Sequence, residues 1–171
     1  MRRPRGVSLV ELIMVLAIMA ILVTAALPSY FKLIEHQERV QLVNQMMGAL
    51  HYARSKAVNE RRIVAVCSGV VQCESGSIWR AHIMVFTDHD AMGQLAPKQV
   101  ADFKNEIPQG YAWHWKSFRR QPYLQFNANG TTRALNGTLL LCFDEHPVHS
   151  IVISLSGRAR SESPSRNAHC T

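Results

Sequence analysis

The chain has 171 residues, 47% of them apolar, which leaves room for one globular domain with its own core plus an extended element. Its formal net charge of +7 and pI near 9.6 point to an anionic partner, either nucleic acid or phospholipid headgroups. It has no G-x-S-x-G, no P-loop, no G-x-G-x-x-G and no paired carboxylates at a plausible cleft, so the common enzyme classes are excluded and no cofactor is expected.

Met1 to Gly6 (MRRPRG) is short and basic, and an apolar block from Val7 to Leu27 follows it. As a helix of about 1.5 Å rise per residue, such a block matches the hydrocarbon thickness of a bilayer. Arg2, Arg3 and Arg5 ahead of it predict that this end stays cytoplasmic and the rest is exported. The block contains one charge, Glu11. A carboxylate within a membrane helix costs about 2.5–3.5 kcal/mol near the centre and less near the edge, so Glu11 calls for a partner.

The run Gly6-Val7-Ser8-Leu9-Val10-Glu11-Leu12 resembles the prepilin cleavage and methylation signature of type IV pilins and type II secretion pseudopilins. The resemblance implies that a prepilin peptidase cuts after Gly6 and methylates the new N-terminus at Val7, where the family usually has Phe. It also implies that Glu11 neutralises the terminal ammonium of a neighbouring subunit during assembly. Loss of the leader and its three arginines lowers the formal charge from +7 to +4.

From Ser29 to about Glu60 the chain still reads as helix, with Val40, Val43, Met47, Leu50, Ala53 and Ala57 forming an apolar stripe at three- and four-residue spacing. Pro28, which lacks an N–H, predicts a kink near that point and not an end to the rod. Beyond Arg62 the period falls to two. Ile63–Cys67, Trp79–Thr87, Tyr111–Trp115, Tyr123–Phe126, Thr138–Phe143 and Ile151–Leu155 are predicted strands, with Asn129-Gly130 and Asn136-Gly137 as type I′ hairpin turns. One long helix followed by strands alone is an α+β pattern. The expected division is a leader (1–6), a transmembrane and assembly helix (7–27), the soluble half of the helix (28–60) and a β-rich head (61–171).

Four cysteines in an exported chain predict disulfides over metal ligation. Of the three possible connectivities, Cys67–Cys73 closes a short local loop and Cys142–Cys170 ties the tail to a strand, and this pairing is the expected one. Asp88-His89-Asp90 with Gly93 lacks the third acidic position and the closing Glu of a calcium loop, so a strand-connecting turn is expected there. In Glu145-His146-Pro147-Val148-His149 the proline argues against the helix that a histidine metal pair would need.

The segment from Ile151 to Arg160 is an apolar strand that runs into Gly157, Arg158 and Arg160. Alternation places the two arginines on one side of an extended chain, where two guanidinium forks suit consecutive phosphates. Lys116, Arg119 and Arg120 lie beside Trp113 and Trp115 in sequence, Arg133 follows the Asn129-Gly130 turn, and the basic charge is concentrated beyond Tyr111.

Ala53-Arg54-Ser55-Lys56-Ala57, the Cys67–Cys73 pair, Trp79 with Val85-Phe86-Thr87-Asp88, Gln125-Phe126 with Asn129-Gly130-Thr131, and Ser156-Gly157-Arg158 resemble the GspH/FimT branch of minor pilins. In FimT-type pilins a GRxR element like Gly157-Arg158-Ala159-Arg160 belongs to a DNA-binding surface used in natural transformation. The resemblance implies a type IV pilin fold, other pilins as filament partners, and double-stranded DNA held through Gly157, Arg158 and Arg160; the basic residues Lys116, Arg119, Arg120 and Arg133 are expected to add to that surface. It also implies a precursor held in the inner membrane by a single pass, with its head in the periplasm. The alternatives are a structural pseudopilin of a type II secretion system and a tip pilin serving assembly or twitching without DNA.

Overall fold

The computed structural model describes residues 8–170, so Gly6 and Val7 lie outside the described residues. Helix α1 runs Leu9–Glu60 and passes through Pro28 without a break, so the proline does not terminate it. Glu11 is exposed in its first turn, where free backbone N–H groups favour a carboxylate. The chain divides into two compact units, one ending at Val40 and the other beginning at Gln41. In the first, apolar side chains stand open around the helix, among them Leu9, Ile13, Leu16 and Met19. Among the described residues no helix is long and apolar enough to cross a membrane, and the span expected over Val7–Leu27 rests on the sequence.

In the second unit one face of α1 carries Leu42, Val43, Met46, Ala49, Leu50, Ala53 and Ala57, all buried. The expected stripe is corrected at its start, where Val40 is 40% exposed and Leu42 and Met46 enter the core. At 3.6 residues per turn, Leu42, Met46, Ala49, Leu50, Ala53 and Ala57 fall on one continuous arc. The three alanines keep that arc shallow, so the helix backbone lies close to the strands.

Among the described residues nine strands follow: β1 (Val64–Ser68), β2 (Ile78–Trp79), β3 (His82–Thr87), β4 (Phe103–Glu106), β5 (Tyr111–Ser117), β6 (Leu124–Phe126), β7 (Gly137–Phe143), β8 (His146–Ile153) and β9 (Ala159–Glu162). They form two antiparallel sheets, ordered β4-β3-β1-β6 and β2-β5-β7-β8-β9. The single run expected over Trp79–Thr87 is two strands, one in each sheet. Alternation sorts the sheet residues: Val64, Val66, Trp113, Trp115, Leu139, Leu141, Ile151 and Ile153 join the helix in the main core. Ala65, Cys67, Met84 and Phe86 form a second cluster on the other face of β1 and β3.

The disulfides are Cys67–Cys73 and Cys142–Cys170, as expected. Cys142 points to the side of the five-stranded sheet away from the core, so the second bridge lays the tail across that outer face. Asp88 is buried and organises its own turn: it accepts hydrogen bonds from the Gly93 N–H at 2.7 Å and from Gln125 Nε2 at 2.6 Å.

The expected turn chemistry needs correction. The type I′ turn joins β7 to β8 and consists of Asp144 (φ 44°) and Glu145 (φ 66°), neither of them glycine. Asn136-Gly137 is not a hairpin turn, because Gly137 already pairs with Ser117 and Ile153 inside the sheet. Asn129-Gly130 closes a different turn. The Gly130 N–H donates to the Asn127 carbonyl, the Asn127 N–H donates to the Thr131 carbonyl, and only Gly130 (φ 76°) has positive φ. This is a type I turn with a glycine bulge.

The same pattern recurs between β8 and β9, where the Gly157 N–H donates to Ser154 O and the Ser154 N–H to Arg158 O, with Gly157 at φ 74°. The two glycine turns, one from each sheet, press together, and a Cβ on Gly157 would run into the Gly130 carbonyl oxygen. Arg54 of α1 joins them: its Nε donates to Gly130 O at 2.9 Å and its Nη2 to Ser156 O at 3.1 Å. Two residues further along the helix, Lys56 Nζ meets Glu60 at 2.7 Å and Asp102 at 3.3 Å.

Two outcomes follow from this packing. Gly157→Ala should lower stability by at least about 1–2 kcal/mol, the cost of a left-handed side-chain residue, with the clash against Gly130 adding to it. Chemical denaturation of the full chain in non-ionic detergent measures it. The hydrogen bond from Lys56 holds the Glu60 carboxyl below its ordinary range. A lowered acid stabilises the fold above its ordinary pKa and ceases to as pH falls through the folded value. Lys56→Met should therefore raise the Glu60 titration seen by NMR and flatten the acid limb of the stability curve.

Candidate nucleic-acid interface

The cross-strand row Ser117–Gly137–Ile153–Ala159 marks one end of the five-stranded sheet. Three loops leave the sheet there, and backbone hydrogen bonds join them. The Phe118 N–H donates to Asn136 O at 3.2 Å, and the Thr132 N–H donates to Leu155 O at 2.9 Å. Arg119 and Arg120 come from the first loop, Arg133 from the second and Arg158 from the third, and all are exposed. The loops at Phe118–Arg120, Thr132–Asn136 and Ser154–Arg158 contain no acidic residue.

The arginine pair at the C-terminal end is not a tail held only by a disulfide. Arg158 belongs to the glycine-bulge turn, and Arg160 lies in β9, opposite Val152 of β8. Arg160 approaches Glu162 at 3.7 Å, and both side chains are more than 40% exposed. An ion pair so open contributes only about 0.2–1 kcal/mol, so a phosphate can take Arg160 over at small cost. Lys116 sits in the same cross-strand row as Arg160, through Thr138 and Val152. It is engaged within the chain: its Nζ donates to His169 O at 3.0 Å and holds the tail against the sheet.

Trp113 and Trp115 do not share this surface. They are buried on the opposite side of β5, where Trp115 Nε1 donates to Tyr123 O at 3.2 Å. The two histidines near the type I′ turn bond locally, His146 Nδ1 to Asp144 O at 2.8 Å and His149 Nε2 to the Ser161 hydroxyl at 2.6 Å. Among the described residues no group of histidine, cysteine and acidic side chains could hold a metal ion. At the opposite end of the same sheet a groove of about 790 Å³ is lined in part by Arg80, His82, Glu106, Asp144 and Glu145, where the carboxylates outnumber the arginine. The two ends thus differ in the sign of their charge.

Reading the sequence for arginines found the exposed cations but missed what positions them. Arg54 gave no signal of its role beyond its place in the motif Ala53–Ala57. The two glycines, each three residues after a short polar residue (Asn127 and Ser154), were the available clue to twin turns.

The family profile "Type II transport protein GspH" matches residues 42–157, and the "Prokaryotic N-terminal methylation motif" matches residues 1–27. No curated protein matches the sequence. Among solved structures the fold is similar to the type IV minor pilin FimU of Pseudomonas aeruginosa in two crystal forms. In space group P65 the identity is 23% and the TM-score 0.53, over 74% of this chain and 94% of that one. In space group P21 the identity is 22% and the TM-score 0.54, over 78% and 98%. Family and fold are those of structural pilins, not of enzymes, and membership implies assembly with other pilins in a pilus or pseudopilus. With the methylation motif over residues 1–27 and the GspH profile over residues 42–157, the chain is a member of the GspH family, a minor pilin or pseudopilin.

Proposed function

We propose that this minor pilin binds DNA without sequence preference through the arginine end of its head, and that it serves DNA uptake as part of a filament. The observation that carries the reading is the convergence of Arg119, Arg120, Arg133 and Arg158 on three backbone-linked loops without a carboxylate among them. Guanidinium groups held on ordered turns lose little entropy on meeting phosphates. Phosphate contacts supply affinity and no base readout, which suits arbitrary DNA.

Before assembly the subunit sits in the inner membrane through Val7–Leu27, with its head in the periplasm. Prepilin peptidase removes Met1–Gly6, and Glu11 pairs with the methylated Val7 amine of a neighbour. The open apolar side chains of Leu9–Leu27 support that reading, because such a surface needs lipid or other subunits to cover it. The family description is also compatible with a second reading, a pseudopilin of type II secretion; its head would touch protein and not DNA.

Full-length chain in non-ionic detergent should retard duplex DNA in a mobility assay. If about four phosphates are neutralised, log K against log salt should slope at roughly −3.6. Arg158→Glu with Arg160→Glu should abolish the shift while leaving thermal unfolding unchanged; undiminished affinity in that variant would move DNA binding away from these arginines, and no shift by the parent would favour the pseudopilin reading. For the N-terminus, mass spectrometry of the isolated subunit should find Val7 as an N-methylated first residue, and Glu11→Ala should keep the subunit out of filaments.

A further inference from the structure

Two apolar side chains stand among the arginines, and phosphate binding gives them no task. Phe118 is 83% exposed and Leu155 is 56% exposed. Each occupies a corner of a tight turn. The Arg120 N–H donates to Ser117 O, which puts Phe118 and Arg119 at the corners of the first turn. The Gly157 N–H donates to Ser154 O, which puts Leu155 and Ser156 at the corners of the second. The Thr132–Asn136 segment bonds to both turns, so the two side chains are presented from one ordered end of the sheet.

A single exposed apolar residue needs no explanation. An aromatic ring on a rigid turn, followed directly by two exposed arginines, has a definite chemistry. Its flat face accepts another flat apolar surface, and the neighbouring guanidiniums demand that the surface carry negative charge. Unpaired nucleotides meet both demands, since each base has a free π-face beside a phosphate. Bases inside a closed duplex do not, because their faces are already stacked. An anionic lipid surface offers charge, but one ring and one leucine provide little apolar area to insert.

We propose that Phe118 is a stacking platform for unpaired bases, with Leu155 presented from the same end of the sheet, so that this end of the head prefers single-stranded DNA or open strand ends to closed duplex. This inference rests on the DNA-binding reading above and adds to it an affinity component that salt does not remove. The arginines set the salt slope, and Phe118 sets the binding that persists when phosphate contacts are screened.

The test is fluorescence anisotropy with the full chain in non-ionic detergent, titrated against a labelled single strand and a duplex closed by hairpins at both ends. At about 0.3 M salt, where backbone contacts are weakened, the single strand should bind about tenfold more tightly. Phe118→Ala should weaken single-strand binding by about tenfold at every salt concentration, with the slope unchanged and closed-duplex binding within about twofold of the parent. Phe118→Trp should restore the single-strand preference. Equal binding of the two DNA forms by the parent overturns the proposal, as does an equal loss on both in Phe118→Ala. Loss of binding to phosphatidylglycerol vesicles with DNA binding intact overturns it in favour of a lipid contact. Should neither DNA form bind at all, the DNA reading itself falls, and this inference falls with it.

Discussion

The head is organised around one guanidinium. Arg54 reaches from the helix to the Gly130 carbonyl of one sheet and the Ser156 carbonyl of the other, where Gly130 and Gly157 meet without side chains. A hydrogen bond from a charged donor to a carbonyl contributes about 1.5–3 kcal/mol, and here two such bonds fix three elements at one point. The apolar core holds helix and sheets together, but burial is not directional. The Arg54 bonds and the touching glycines provide the direction that sets where the loops of the basic end emerge.

That arrangement also explains why the exposed arginines need few partners of their own. The backbone of the first two loops is held by their neighbours, Phe118 by Asn136 and Thr132 by Leu155, and Arg158 is held within its own turn by the N–H and hydroxyl of Ser154. Order therefore resides in main-chain bonds, and the guanidiniums of Arg119, Arg120, Arg133 and Arg158 remain exposed to solvent. Lys116 is the exception, since its ammonium secures the tail.

Much of this was legible in the residues themselves. The helix, the strands with apolar alternation and the bridge pairing could all be read, because apolar spacing and the short Cys67–Cys73 loop are local properties. Strands β4 (Phe103–Glu106) and β9 (Ala159–Glu162) could not, because each has a single apolar residue and so carries no alternating apolar signal. They exist because β3 and β8 offer open hydrogen-bonding edges. The turns failed for a related reason. Asn-Gly is the strongest hairpin signal, yet Asp144-Glu145 adopts the left-handed turn because β7 and β8 arrive in a register that leaves only two residues between them. The basic end was half legible: its cations could be counted, but their convergence depends on sheet order, which no local pattern encodes.

The tie between the basic end and the helix has a mechanical consequence. A ligand held on the outer loops and pulled would load the main-chain bonds of Thr132 and Ser154 and then the Arg54 guanidinium, and through them the helix itself. The path avoids the disulfide-bound tail, which crosses a different part of the sheet. Tension would reach the head's own stretch of helix through several short bonds strained together, a geometry that resists peeling better than a single flexible tether.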